Sequence, residues 1–180
     1  YIDDNMPKDN QHVYARNSTN DLLTIITGAD PKTYKRFDTG IDNWDRSWFR
    51  DYQHYFYEGT KLEVDYKSFK RINNTLAVDT NFVYAIVNSQ TESGITNRGV
   101  IKKVGRMAGV VKAINSSYAL IGNTLILSNW KNEFNSIAFD KIEFFDVLDD
   151  RNITINKILI HDGKIFPNVD VESLDILDRD

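Results

Sequence analysis

The hydrophobic positions of this chain fall into short runs separated by turn residues, a pattern typical of β-hairpins. In the stretch 51–64 an aromatic run is followed by Glu58-Gly59 and then by a second short run. In the stretch 157–166 a β-branched run is followed by Asp162-Gly163 and another short run. Glycine supplies the positive φ that a tight two-residue hairpin turn requires. We therefore predict a hairpin in each stretch.

An acidic residue with bulky apolar residues four and seven positions later recurs along the chain. The stretch 30–37 (DPKTYKRF) closely matches 65–72 (DYKSFKRI), two looser copies begin at later Asp residues, and the loosest begins at Asn97. A carboxylate at the start of a helical turn accepts hydrogen bonds from the backbone N–H groups two and three residues later. We therefore predict that these Asp residues cap short helical turns and are not catalytic; they are Asp30, Asp65, Asp140 and Asp170.

A second piece recurs upstream of these anchors. The stretch 9–14 (DNQHVY) matches 51–57 (DYQHYFY), and 79–84 (DTNFVY) is a third version. Copies spaced by roughly 30 to 43 residues fall in the range typical of structural repeats. The repeat units are expected at about 9–37, 49–72, 76–104, 118–148 and 153–177.

These patterns predict a mainly β fold. We expect an array of four to five β-hairpin repeats in a single domain, each hairpin followed by a short capped helical turn. One short helix is expected near 100–112, where apolar residues recur at helical spacing, although two short β runs joined at Gly105 fit equally well.

The paired signatures DNQHVY (9–14) and GADPKTY (28–34) resemble the DKNYY repeat family of bacterial proteins. Its units carry an Asp-Lys-Asn-x-x-Tyr-Tyr strand and a Gly-Ala-Asp-Pro-Lys-Thr-Phe turn, and the resemblance extends over residues 9–84. It implies a repeat-built, exported bacterial protein. It brings no established activity and no catalytic residues.

Composition restricts the compartment and the chemistry. The chain has 180 residues, of which 41% are hydrophobic and 27% charged, so it has enough apolar surface to fold. Without cysteine it has no disulfide, thiolate nucleophile or cysteine-ligated metal site. No apolar run approaches 18 residues, so no transmembrane segment is predicted. The chain begins at Tyr1, which favours a mature exported protein of the bacterial cell envelope or periplasm over a trimmed cytoplasmic one.

No motif of an enzyme or a metal site is found in the sequence. The three histidines are His12, His54 and His161, and none has the local spacing of a zinc site. A nucleophile elbow, a phosphate loop and a dinucleotide fingerprint are also missing. We therefore predict a non-catalytic protein without metal or cofactor. An enzyme acting through His54 is the least favoured hypothesis.

Charge is distributed unevenly along the chain. Between Glu92 and Glu133 there is no acidic residue and there are six basic ones, so the charge of this segment is +6. The net charge of the whole chain is −4, so the remaining residues carry −10. Such a segment is favoured to be a solvated basic face of the third repeat; the functional alternative is a surface that docks an acidic protein or an anionic lipid. Nucleic acid is not expected, because no aromatic residues alternate with the basic ones. The candidate partner-binding residues in this segment are Arg98, Lys102, Lys103 and Arg106.

Aromatic residues supply the other candidate surface. Trp44 and Trp48 lie in an insert that interrupts the repeat and are candidate binding anchors, although core packing is the favoured role of each. Tyr55 and Tyr57 are expected on one face of a strand that is either covered on both sides or exposed.

Two functions follow from these observations as hypotheses. The leading one is a protein-binding module of the bacterial cell envelope, and its most specific form is an immunity-type inhibitor that neutralises a secreted toxin or effector by direct binding. The alternative is a carbohydrate- or cell-wall-binding module that uses exposed Tyr and Trp faces.

Overall fold

The computed structural model describes residues 6–16, 22–37, 47–91, 94–128 and 134–174, with the backbone alone at 88–99. The fold is mainly β, as the sequence predicts, and the described residues form five antiparallel sheets of two to four strands. Consecutive strands pair with one another, so each sheet is a meander. Among the described residues no helix is long and apolar enough to cross a membrane.

The first sheet contains β1 (Tyr14–Arg16) and β2 (Leu23–Ile25). The second contains β3 (Lys35–Arg36), β4 (Trp48–Arg50), β5 (Tyr55–Tyr57) and β6 (Thr60–Lys61). The third contains β7 (Lys70–Arg71), β8 (Leu76–Val78), β9 (Phe82–Thr91) and β10 (Gly94–Arg106). The fourth contains β11 (Val111–Ala113), β12 (Tyr118–Ile121), β13 (Thr124–Ser128) and β14 (Phe134–Ala138). The fifth contains β15 (Phe145–Val147), β16 (Asn152–Ile155), β17 (Ile158–His161) and β18 (Lys164–Phe166).

The chain divides into two compact units where the sequence predicts a single domain. The first unit comprises Tyr1–Lys70 and Asp79–Asn81, and the second comprises Arg71–Val78 and Phe82–Asp180. The predicted repeat units also cut across the sheets, because β3 and β7 each begin five residues after an anchor Asp. Asp30 and Asp65 therefore each lead into the next sheet.

The core of the first unit is aromatic. Tyr34 is stacked on Phe49, with ring centroids 5.3 Å apart, and meets Phe56 edge-on at 5.1 Å. Val13 and Ile26 are buried in the same cluster. Edge-to-face and offset aromatic pairs of this kind stabilise a core beyond the area they bury.

The second unit has two apolar layers, one on each face of the fourth sheet. Side chains of the third sheet pack on one face in a cluster that includes Ala119 and Ile121. Side chains of the fifth sheet pack on the other face in a cluster that includes Tyr118 and Leu120. Because both faces are covered, every residue of β12 is buried, and its sequence is an unbroken apolar run.

Both predicted hairpin turns are confirmed. Glu58 and Gly59 have φ values of 46° and 79°, and Asp162 and Gly163 have 47° and 72°. Two successive residues with positive φ form the primed turn that matches the right-handed twist of paired strands.

The predicted helical turns after the hairpins are wrong. Asp30 and Asp65 do cap turns through their side chains, but each turn has a single backbone hydrogen bond to the residue four positions later and then enters a strand. The strand continues because Lys35 and Arg36 pair with β4, which the local sequence does not reveal. Asp140 is followed by irregular chain without a turn.

The structure also differs from the prediction at the last anchor and at the predicted short helix. Asp170 caps a single 3₁₀ turn at Val171–Ser173 by accepting a hydrogen bond from the N–H of Glu172. No helix forms near 100–112, because β10 extends to Arg106 and β11 begins at Val111. Two strands occupy this stretch, as in the alternative, but they are separated at 107–110 and Gly105 lies within β10.

Candidate functional site

The basic segment forms an edge of the third sheet. β10 pairs with β9 along one side, and among the described strands no partner lies on its other side. An edge strand leaves the outward N–H and C=O groups of alternate residues without a strand partner. A basic edge is therefore present, defined here as Lys102, Lys103 and Arg106 on β10, all three exposed.

A β-bulge places two of these residues on one face. Lys103 lies opposite Tyr84, and Arg106 lies opposite Phe82, with a register shift between Lys103 and Gly105. Residues directly opposite each other in a sheet share a face. Lys103 and Arg106, three positions apart, therefore share the face of Tyr84 and Phe82, which regular alternation would not allow.

Lys102 lies on the other face of the strand. Its cross-strand partner is Ala85, which belongs to the apolar layer between the third and fourth sheets. Val104 packs against the same layer. The basic edge thus presents positive charge on both faces of β10.

An aromatic contact locates one of the positive charges. The Nζ atom of Lys103 lies 4.6 Å from the ring centroid of Phe82. A cation at this distance over an aromatic face is attracted by the ring quadrupole. This contact positions the ammonium group without neutralising its charge.

No acidic side chain of the described chain balances the basic edge. Ion pairs within 4 Å join other residues, and none involves Lys102, Lys103 or Arg106.

An apolar cleft opens beside the basic edge. Its volume is about 120 Å³, and it lies between the third and fourth sheets. Side chains of Val83 and Val104 line it from the third sheet, and Ile121, Ile126 and Phe134 line it from the fourth. Arg106 also borders the cleft, while its cross-strand partner Phe82 places it on the other face of β10.

The sequence did not indicate this cleft. The bulge places Gly105 opposite Val83 in the wall of the cleft, and a bulge leaves no clear periodic pattern. The one sequence signal in its favour is Gly105, since glycine inside a strand often marks a bulge.

The remaining candidates of the sequence analysis are not part of this site. Trp48 is fully buried, so it is not a surface anchor, and core packing, the role that the sequence favours, is correct. Its ring packs against Tyr57 and Phe69, with centroids 5.0 and 6.0 Å apart. Trp44 lies outside the described residues, and Arg98 lies where only the backbone is described.

Two of the histidines contact polar side chains of nearby turns. The Nδ1 atom of His54 is 3.5 Å from Oδ2 of Asp51, and Nδ1 of His161 is 2.7 Å from Oδ1 of Asn152. Within the described ranges no group of three or more His, Asp or Glu side chains could hold a metal ion.

Comparison of the chain with models of known protein families, with curated proteins and with solved structures found no match. The resemblance to the DKNYY repeat family stays a prediction.

Proposed function

We propose that this protein is a non-catalytic protein-binding module that uses the basic edge to bind an acidic protein partner. The observation that carries the proposal is that Lys102, Lys103 and Arg106 are exposed on an edge strand and have no acidic partner in the described chain. Complementary charge speeds association with an oppositely charged partner and selects against like-charged ones.

The finer form of this proposal is an inhibitor of a secreted toxin in the bacterial cell envelope. The setting in the cell envelope is supported by the DKNYY resemblance, and the inhibitor role by the uneven charge of the chain, in which residues 93–132 carry +6 and the rest carries −10. A carbohydrate-binding face built on Trp48, Tyr55 and Tyr57 is not proposed, because these three side chains are buried.

The experiment that tests the proposal is affinity capture with a matched pair of charge-reversal variants. The test variant is Lys102→Glu/Lys103→Glu/Arg106→Glu. The control is Lys32→Glu/Lys67→Glu/Lys164→Glu, which changes the total charge equally at three exposed positions elsewhere. Each protein is tagged and incubated with lysate and secreted material of its source, and retained proteins are identified and titrated by calorimetry.

The proposal expects one stoichiometric protein partner for the wild type and the control variant, and its loss in the test variant. Retention of no protein by the wild type would contradict it. Equal retention by both variants would show that binding uses another surface.

A further inference from the structure

We propose that the occupant of the basic edge is an extended acidic segment that pairs with β10 and inserts one apolar side chain into the neighbouring cleft. This inference rests on the proposed function and adds the chemistry of the partner. Three features of the second unit support it independently: the shape of the cleft, the open backbone beside it and the charge around it.

The cleft fits one apolar side chain. Its volume of about 120 Å³ is close to that of a dry cavity of about 150 Å³ that binds benzene. Val83, Ile121 and Ile126 in its wall are each at most 5% exposed. A leucine- or phenylalanine-sized group that entered from solvent would therefore exchange water for an apolar surface.

The backbone at the mouth of the cleft is open. A methyl group at Gly105 would find no atom within 4 Å, and Gly105 itself lines the cleft. Since β10 is an edge strand among the described strands, a second strand can hydrogen-bond to it. Strand addition of this kind takes affinity from main-chain hydrogen bonds and specificity from pockets for alternate side chains.

The positive charges of the basic edge indicate which side chains the rest of the partner's segment carries. Lys102 lies opposite Ala85, on the face of β10 that bears the apolar layer, and Lys103 and Arg106 lie on the other face. Arg106, the last residue of β10, also borders the cleft. An added strand alternates its side chains between the two faces, so acidic residues on both sides of its apolar residue would meet positive charge.

The test uses the full chain and three synthetic peptides of about ten residues, a length that suits strand addition. The first peptide alternates Glu and Thr around a central Leu. The second replaces the Leu by Ser, and the third replaces every Glu by Lys. Fluorescence anisotropy measures the dissociation constant of each labelled peptide.

Two substitutions at one position distinguish the contribution of the cleft to binding from that of the basic edge. Ser136 is exposed, lines the cleft and lies opposite Ile126, so its side chain is on the face of the cleft. Ser136→Phe is expected to fill the cleft, whereas Ser136→Ala leaves it open. Neither substitution changes the charge of the basic edge.

We expect the acidic Leu peptide to bind about tenfold or more tightly than the Ser peptide, because one apolar side chain is buried. The Lys peptide should not bind. Ser136→Phe should remove the preference for Leu and Ser136→Ala should keep it. Raising the salt from about 50 mM to about 500 mM should weaken binding, as expected for exposed charges.

Equal affinity for the Leu and Ser peptides, or a preference for Leu that survives in Ser136→Phe, would overturn the inference. Equally tight binding of a short oligothymidylate would overturn it as well. If charge reversal of the basic edge abolishes capture of a protein partner while Ser136→Phe does not, the proposed function stands and the cleft inference fails.

Discussion

The Oδ2 atom of Asp51 accepts a hydrogen bond of 3.0 Å from the backbone N–H of Asp30, 21 residues earlier in the chain. The same carboxylate accepts hydrogen bonds through Oδ1 from the N–H groups of Gln53 and His54, at 2.8 and 2.6 Å. One nearly buried side chain, 3% exposed, thus joins the two kinds of recurring turn.

The relationship repeats within the first unit. Oδ2 of Asp79 accepts a hydrogen bond of 3.0 Å from the N–H of Asp65, and Oδ1 accepts one of 2.7 Å from Asn81. In the first copy the Thr33 hydroxyl of the anchor turn accepts a hydrogen bond from the N–H of Tyr52. In the second copy the Ser68 hydroxyl accepts one from the N–H of Thr80. The sequence repeat is therefore also a repeat of hydrogen bonds.

Two substitutions of Asp51 should destabilise the first unit to different extents. Asp51→Asn keeps one acceptor oxygen and loses the other, which should lower the free energy of unfolding by about 1–2 kcal/mol. Asp51→Ala leaves three N–H groups without their acceptor and should lower it by about 3 kcal/mol or more. Urea unfolding monitored by tyrosine and tryptophan fluorescence measures both values.

The control for this prediction is Asp150→Asn, which removes one negative charge at an exposed position. It should change the free energy of unfolding by less than about 0.5 kcal/mol. Equal stability of Asp51→Ala and Asp150→Asn would show that the carboxylate does not join the two turns.

An asparagine ladder connects the three sheets of the second unit. Nδ2 of Asn73 donates to the backbone carbonyl of Asn115 at 3.1 Å, and Nδ2 of Asn115 donates to that of Asp149 at 3.3 Å. Each of the three residues also accepts, through Oδ1, the N–H groups two and three positions later. The ladder ends at Asp149, because a carboxylate has no N–H to donate.

Asn115→Asp should break the ladder without disturbing the turn that Asn115 caps. The substitution keeps Oδ1 as an acceptor and places an oxygen where Nδ2 donated to the Asp149 carbonyl. We expect the free energy of unfolding to fall by about 1 kcal/mol or more. Urea unfolding measures this change, and Asn168→Asp, at an exposed position, is the matched control. An identical loss in both variants would attribute the effect to net charge alone.

Local turn chemistry could be predicted from the sequence. The Glu58-Gly59 and Asp162-Gly163 hairpins follow from the φ preference of glycine, and capping by Asp30 and Asp65 follows from the acceptor geometry of a carboxylate. Each of these features is decided by neighbouring residues, so a short window of sequence contains enough information.

Features that depend on distant pairing could not be predicted. The turn after Asp30 does not continue as a helix, because Lys35 and Arg36 pair with residues of β4. The candidate site was found only as a basic segment, since its cleft depends on the packing of two sheets and on a bulge at Gly105.

A tyrosine hydroxyl controls the acidity of the first repeat turn. Oη of Tyr14 donates a hydrogen bond of 2.6 Å to Oδ2 of Asp9, and the N–H groups of Gln11 and His12 donate to Oδ1. These hydrogen bonds, that of Tyr14 foremost, lower the pKa of Asp9 from 3.8 to about 2. Tyr14→Phe should therefore raise the pKa of Asp9 towards 3.8.

Titration of the side-chain carboxyl carbons by NMR checks this pKa. The Asp30 carboxyl, whose pKa is lowered mainly by its hydrogen bond from Thr33, is the internal control and should not move. Because the folded-state pKa of Asp9 is below its unfolded value, its stabilising contribution is present above pH 3.8 and is lost as the pH falls from 3.8 to about 2. An unchanged pKa of Asp9 in Tyr14→Phe would contradict the assignment.

A glycine turn in the second unit provides a test of the packing of the loop before β11. Gly122 has a φ of +57°, and a Cβ atom there would lie 2.7 Å from the carbonyl oxygen of Ala108. Gly122→Ala combines the cost of a left-handed backbone, about 1–2 kcal/mol, with a clash against a backbone atom that no side-chain rotation relieves. We expect the free energy of unfolding to fall by about 2 kcal/mol or more.

Gly105→Ala is the matched substitution, because a Cβ atom there would contact nothing within 4 Å and the backbone is not left-handed. Its stability should be unchanged or raised by up to about 1 kcal/mol, since alanine restricts the unfolded chain. Urea unfolding of the two variants side by side separates the local clash from the general effect of replacing glycine. If Gly122→Ala is as stable as Gly105→Ala, the approach of the Ala108 carbonyl to Gly122 does not hold in solution.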